Sequence, residues 1–150
     1  MTDGGLRIAV AVVALLGLAI AGYLTYVHYA GLHVLCLSSG GCETVQASSY
    51  AKLAGIPVAL LGLLGYAAIL ASLALPRDLQ VTAGAGLAMI GFGFSAYLTY
   101  RELFTIEAIC QWCVASAVLM TLSLAVAAAR AFAYTGRDLP APQLQSSHGR

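Results

Sequence analysis

Charge is what this chain has least of. Asp and Glu number 6 and Lys and Arg 7 in 150 residues, so charged side chains make up 9%, against roughly 25% in an average soluble domain. That excludes a water-soluble globule of ordinary composition. The net charge of +1 has no basic cluster behind it, and nothing suits the chain to nucleic acid. Asparagine is absent, tryptophan occurs once, at Trp112, and cysteine only 4 times. At this length one compact bundle is expected, with no room for a second soluble domain.

What fills the chain instead is apolar, 61% of it. Ile8–Tyr29, Leu53–Pro76, Leu79–Tyr100 and Ala108–Ala129 lack Asp, Glu, Lys and Arg, and each meets the ~20 residues that a bilayer requires. The expected fold is an all-α integral membrane protein, a bundle of four transmembrane helices forming one domain over residues 1–133. Ala19-Ile20-Ala21 imitates a signal-peptide cleavage site. The apolar run before it is longer than a signal core, however, and Tyr23, Tyr26 and Tyr29 at its end read as an interfacial belt. From Tyr134 the chain turns polar, with Gly136, Pro140, Pro142, Ser146 and Ser147, and residues 134–150 read as a disordered cytoplasmic tail.

Four spans put both termini on one side, with Arg7, Arg77, Arg130, Arg137 and Arg150; the other side holds Lys52 and Arg101. The positive-inside rule then places the termini in the cytoplasm. All the cysteines face outward, where disulfides persist. Two hairpins result, the first with a long outer loop and the second with a short one at Arg101–Glu107, joined by a tight turn at Pro76-Arg77-Asp78. Tyr23-Leu24-Thr25-Tyr26 recurs as Tyr97-Leu98-Thr99-Tyr100, and a cysteine follows ten residues after each. This is either an internal repeat or a pair of matching aromatic anchors.

Cys36 and Cys42 bracket a flexible stretch ending in Gly40-Gly41, which suits a cysteine that swings between partners. Residues Glu43 to Ala54 suit a short interfacial helix with Val45, Tyr50, Leu53 and Ala54 on its apolar side, followed by a break at Gly55-Ile56-Pro57. Cys110-Gln111-Trp112-Cys113 opens the last span. Three apart at a helix start, these thiols share one face, and the helix N-terminus favours a thiolate. A low-pKa thiolate is a good leaving group in exchange. Cys113, deeper along the span, should face a lipid-borne electron acceptor, and Cys110 should exchange with Cys36 or Cys42. Two inert structural disulfides are the plain alternative, but a Cys-x-x-Cys at a helix start is a poor staple. A zinc site from four thiolates is disfavoured by the wide gap in the first pair, so no metal is expected. His28 and His33 read as interfacial polar residues. Glu107, three before Cys110, reads as a solvated carboxylate that could pass protons, and Trp112 as an anchor able to stack near an aromatic ligand. Gly62, Gly65, Gly84, Gly86, Gly91 and Gly93 would allow close helix packing.

A loop pair ending in Gly-Gly-Cys42, Ser48 six residues later, and a Cys-x-x-Cys opening the fourth span resemble the bacterial vitamin K epoxide reductase family over about residues 8–132. The resemblance implies an enzyme, a quinone-dependent thiol:disulfide oxidoreductase of the bacterial inner membrane. Cys36 would take electrons from a reduced thioredoxin-fold (DsbA-like) protein, Cys42 would pass them to Cys110, and Cys113 to a quinone. The quinone would be menaquinone, ubiquinone or a vitamin K-like one, bound around Cys113, Ser48 and Ala117, with Ser48 hydrogen-bonding near the inner cysteines. The helix after Cys42 would cap the pocket. Many bacterial members carry a fused thioredoxin-like domain that this sequence does not show, so the partner would be a separate protein, and a monomer is expected. Vertebrate members have a Tyr where Ala117 stands, which favours a respiratory quinone over an epoxide. A DsbB-type enzyme would carry its cysteine pairs in the reverse order. The alternative from another class is a non-enzymatic membrane protein with structural disulfides or a metal site.

Overall fold

A computed structural model describes residues 3–36 and 41–138. Its elements, in chain order, are α1 (Asp3–Ala30), α2 (Gly41–Ala47), a 3-10 turn (Ser49–Ala51), β1 (Lys52–Leu53), β2 (Ile56–Pro57), α3 (Val58–Ser72), α4 (Arg77–Arg101), a π turn (Glu102–Ile106) and α5 (Gln111–Asp138). α1 packs on α3 and α5, and α4 on α5 and α3, so four apolar helices close a ring running up, down, up and down.

Three of these helices are long and apolar enough to cross a membrane: α1, α4 with its π turn, and α5. The expected second span is shorter than its apolar run. α3 has 15 residues, which at ~1.5 Å per residue reach about 22 Å, short of a ~30 Å hydrocarbon layer. The reason is local. Ala54 and Gly55 have positive φ, 52° and 85°, and turn the chain through a two-residue hairpin that pairs Lys52 with Pro57 and Leu53 with Ile56. Pro57 then sits at the helix N-cap. α1 starts earlier than expected, at Asp3, and α5 runs on through Asp138, although it opens at Gln111 rather than Ala108. The polar tail expected from Tyr134 is therefore helical as far as Asp138, and its remainder, 139–150, lies outside the described residues.

Most of the apolar surface points away from the protein. Only 33% of the most apolar stretch of α1, 11% of α4 and 17% of α5 is buried. Ile8, Leu15, Leu16, Met89, Ile90 and Phe132 are among the exposed side chains. So much outward apolar surface demands lipid. The inner core is small: Val10, Ala14, Ala21, Tyr66, Ile69 and Met120. Its tightest fit is at Gly17, where an added Cβ would lie 2.2 Å from the Tyr66 ring. Of the glycines expected to bring helices together, Gly91 does so against Met120, whereas Gly65, Gly86 and Gly93 face open space.

One end of the ring is tied by polar groups. Arg7 and the Gln80 amide both donate to the Leu73 carbonyl at 3.0 Å, satisfying an orphan acceptor near the end of α3. Asp3 lies 3.1 Å from Arg77 and 3.7 Å from the buried Arg130, and Arg130 donates to Gln80. Both cysteine pairs lie at the other end.

Candidate active site

The cysteine end is built from three segments pinned together. The chain leaving α1 is fixed at Leu35: its N–H donates to the Tyr23 hydroxyl at 3.1 Å, and its carbonyl accepts from the Trp112 indole at 2.8 Å. Tyr23 and Trp112 also stack, with ring centroids 5.3 Å apart. Trp112, from inside the Cys-x-x-Cys, therefore holds the residue just before Cys36. Residue His33 meets Glu43 of α2 at 2.5 Å, a second tie across the same gap. α2 approaches the segment before α5 so closely that a Cβ on Gly41 would lie 2.5 Å from the Ile109 carbonyl oxygen. Glycine is required there by space.

These ties gather the sulfurs. Cys36 and Cys42 are disulfide-bonded with Cα atoms 6.3 Å apart, while Cys110 and Cys113 are free thiols. Cys42, Val45 and Cys110 form one buried cluster, with Cys36, Cys113, Trp112 and Ile106 packed against it. Cys110 precedes the first residue of α5, in the N-cap position, and its carbonyl accepts the Val114 N–H at 3.0 Å. Its thiol is held below the ordinary range, at about 7, first by a hydrogen bond from the Cys113 side chain; burial opposes this, and the backbone N–H groups of Cys113 and Trp112 add to it.

Beneath the sulfurs lies a cavity of about 140 Å³, close to the ~150 Å³ that admits a benzene-sized ring. Cys113 forms part of its wall and Cys110 does not. Ser48 and Ala117 also line it, as do Tyr50, Tyr66, Phe94, Arg101, Glu102 and Ser116. α3 and α4, whose mutual contact is the thinnest in the ring, both contribute wall. The Ser48 hydroxyl donates at 2.7 Å to the carbonyl of Val45, whose side chain packs in the cluster with Cys110. It serves the unpaired end of α2, which stops at Ala47 instead of running on towards Ala54.

Several lining groups were not legible as such. Glu107, the carboxyl expected near Cys110, is exposed in a left-handed conformation that closes the π turn. The carboxyl that reaches the dithiol is Glu102, 5% exposed, whose Oε2 accepts the Cys110 N–H at 3.4 Å and which lines the cavity beside Cys113. Its signal was a charge at the end of an apolar helix, hidden because the loop was expected to begin at Arg101. Arg101 itself lies over the rings of Tyr50 and Tyr97, 4.8 Å and 5.2 Å from their centroids. Tyr66 is fully buried and donates to the Ser116 carbonyl at 2.8 Å. His28 packs edge-on against Tyr29.

A helical membrane protein that holds a disulfide and a dithiol together above an apolar cavity belongs to the class of thiol–disulfide oxidoreductases. The family model described as the vitamin K epoxide reductase family matches residues 8–128, and the chain belongs to that family. It is accordingly a membrane oxidoreductase of a family that takes quinones as electron acceptors.

Proposed function

We propose that this protein oxidises a separate, extracytoplasmic thioredoxin-fold protein and passes the electrons to a membrane quinone, so generating disulfides for protein folding outside the cytoplasm. The observation that carries this reading is the division of the inner pair: Cys110 is buried against Cys42, and Cys113 lines the cavity. Cys36 forms the mixed disulfide with the reduced partner. When the partner's second thiol resolves it, the Cys36–Cys42 bond ends as two thiols and the partner leaves oxidised. Cys42 then attacks Cys110 of an inner disulfide and expels Cys113. Cys36 attacks Cys42 in turn and expels Cys110, a good leaving group with its pKa at about 7.

The inner pair now holds two electrons and the outer pair is again bonded, which is the distribution in the structure. Closing the Cys110–Cys113 bond delivers the electron pair to the quinone, whose oxygens take up two protons. The small ring-sized space under Cys113, walled by Ser48, Ala117 and Phe94, suits the headgroup. Arg7, Arg77 and Arg130 at the opposite end support a cytoplasmic placing of that end and an outward placing of the sulfurs.

Thiol trapping tests the relay. Cys110→Ala should leave the outer pair reduced by the partner with no quinone reduced, and Cys113→Ser should abolish quinone reduction. Full thiol-to-quinone activity in either variant would refute it.

A further inference from the structure

Glu102 is a carboxyl in a costly place. It is 5% exposed in an apolar bundle, and removing such a group from water demands compensation. Among the described residues it has no cationic partner, because the neighbouring Arg101 is turned to Tyr97 and Tyr50. Its one backbone contact, from the Cys110 N–H, is long at 3.4 Å. Its carboxyl nevertheless accepts from Cys110, the other half of the inner pair, and lines the same cavity as Cys113. Glu102 keeps helical backbone at the end of α4, its N–H bonded back to the Leu98 carbonyl, and the π turn that opens with it leads the chain to Cys110; such irregular turns gather at functional sites.

We infer that Glu102 is a catalytic residue that carries a proton from the Cys113 thiol to the quinone oxygen bound in the cavity; this rests on the thiol-to-quinone reading above. The step balances. Cys110 enters as a thiolate, its proton already lost to water. The Cys113 S–H bond breaks and its proton passes to the Glu102 carboxylate. The Cys110–Cys113 bond forms as the electron pair moves to the quinone. Protonated Glu102 gives its proton to one quinone oxygen, and water at the cavity mouth supplies the proton for the other. Among the described residues no other acid fits: Glu107 is exposed, His33 is exposed and paired with Glu43, and the Tyr66 hydroxyl is given to Ser116. The titratable groups facing Glu102 are Cys110 and Cys113 at the start of α5, Arg101 from α4, Tyr50 from the 3-10 turn and Tyr66 from α3.

The test follows quinone absorbance in single turnover, with the inner pair reduced beforehand, in wild type, Glu102→Gln and Glu102→Asp. Glutamine keeps the length and the acceptor for the Cys110 N–H but cannot carry a proton. Glu102→Gln should therefore slow the quinone step about 100-fold, far more than it slows the preceding exchange from Cys36/Cys42, and should lose the wild-type pH dependence of that step. Glu102→Asp should fall between and keep that dependence. A purely structural role predicts the reverse order, with Gln near wild type and Asp worse, and that result would overturn the inference. Should Glu102→Gln fail to accumulate, a quinone step in wild type and Glu102→Asp that is flat with pH overturns it equally. Wild-type protein that never reduces the quinone sinks the parent reading instead, so the two failures are told apart.

Discussion

Gly41→Ala is the sharpest probe of how the sulfurs are brought together. A Cβ at Gly41 would lie 2.5 Å from the Ile109 carbonyl oxygen, where ordinary contact begins at 3.4 Å. The obstacle is backbone, not the tip of a flexible side chain, so α2 or the segment before Cys110 must retreat by most of an ångström. Gly41 directly precedes Cys42, and Ile109 directly precedes Cys110, so the retreat separates the two sulfurs that are proposed to exchange. A misplacement near 1 Å costs on the order of 100-fold in a reaction that depends on contact. The assay uses Cys36→Ser with Cys113→Ser, leaving only Cys42 and Cys110, and follows formation of their disulfide under mild oxidant by a gel shift. Gly41→Ala in that background should cross-link about 10- to 100-fold more slowly. Gly55→Ala, with no atom within 4 Å of its added Cβ, is the control for backbone strain at a positive φ. Cross-linking at an unchanged rate in Gly41→Ala would refute the argument that this contact sets the Cys42–Cys110 approach.

Gly17→Ala should destabilise the bundle by about 1–3 kcal/mol through overpacking against Tyr66, read by thermal unfolding in detergent. Tyr66→Leu should restore part of that loss in the double variant, and additive losses would deny the contact. With the outer pair oxidised and the inner pair reduced, thiolate ultraviolet absorbance should rise with pH around 7 for Cys110. Below that pH the thiol is protonated and the absorbance is lost. Cys113→Ala removes the largest cause of the lowering, so the midpoint should move up towards the usual ~8.5; a midpoint already there in wild type would contradict the hydrogen-bonded pair.

Periodicity played little part in what the sequence made legible; composition and spacing carried it. Scarcity of charge marked the apolar helices, and the arginines Arg7, Arg77 and Arg130 were placed together because alternating spans return them to one end. The cysteine order suggested the relay because each pair follows a helix boundary. The details that failed share a cause, which is backbone geometry chosen by tertiary contact. Leu53–Pro76 reads as the second span, entered after a break at Gly55-Ile56-Pro57; the Ala54-Gly55 turn and Pro57 make that break, and the helix runs only from Val58 to Ser72. Glu102 was hidden because the loop was expected to begin at Arg101, whereas helical backbone runs through Glu102 and keeps it buried, while Glu107, nearer in sequence to Cys110, is itself left-handed and exposed. Gly17 looked like one small residue among many, since its need for space comes from Tyr66, remote in sequence. Trp112 read as an anchor, and its bond to Leu35 shows it also fastening the two cysteine segments.

If electrons cross from an outer to an inner cysteine pair and leave through Cys113 to a quinone, purified protein in detergent, given a reduced thioredoxin-fold donor, should bleach the quinone absorbance with time. Quinol should form in step with donor disulfide, and Cys36→Ser, Cys42→Ser, Cys110→Ser and Cys113→Ser should each stop it. Transfer at the full rate in any one of these variants would contradict the account.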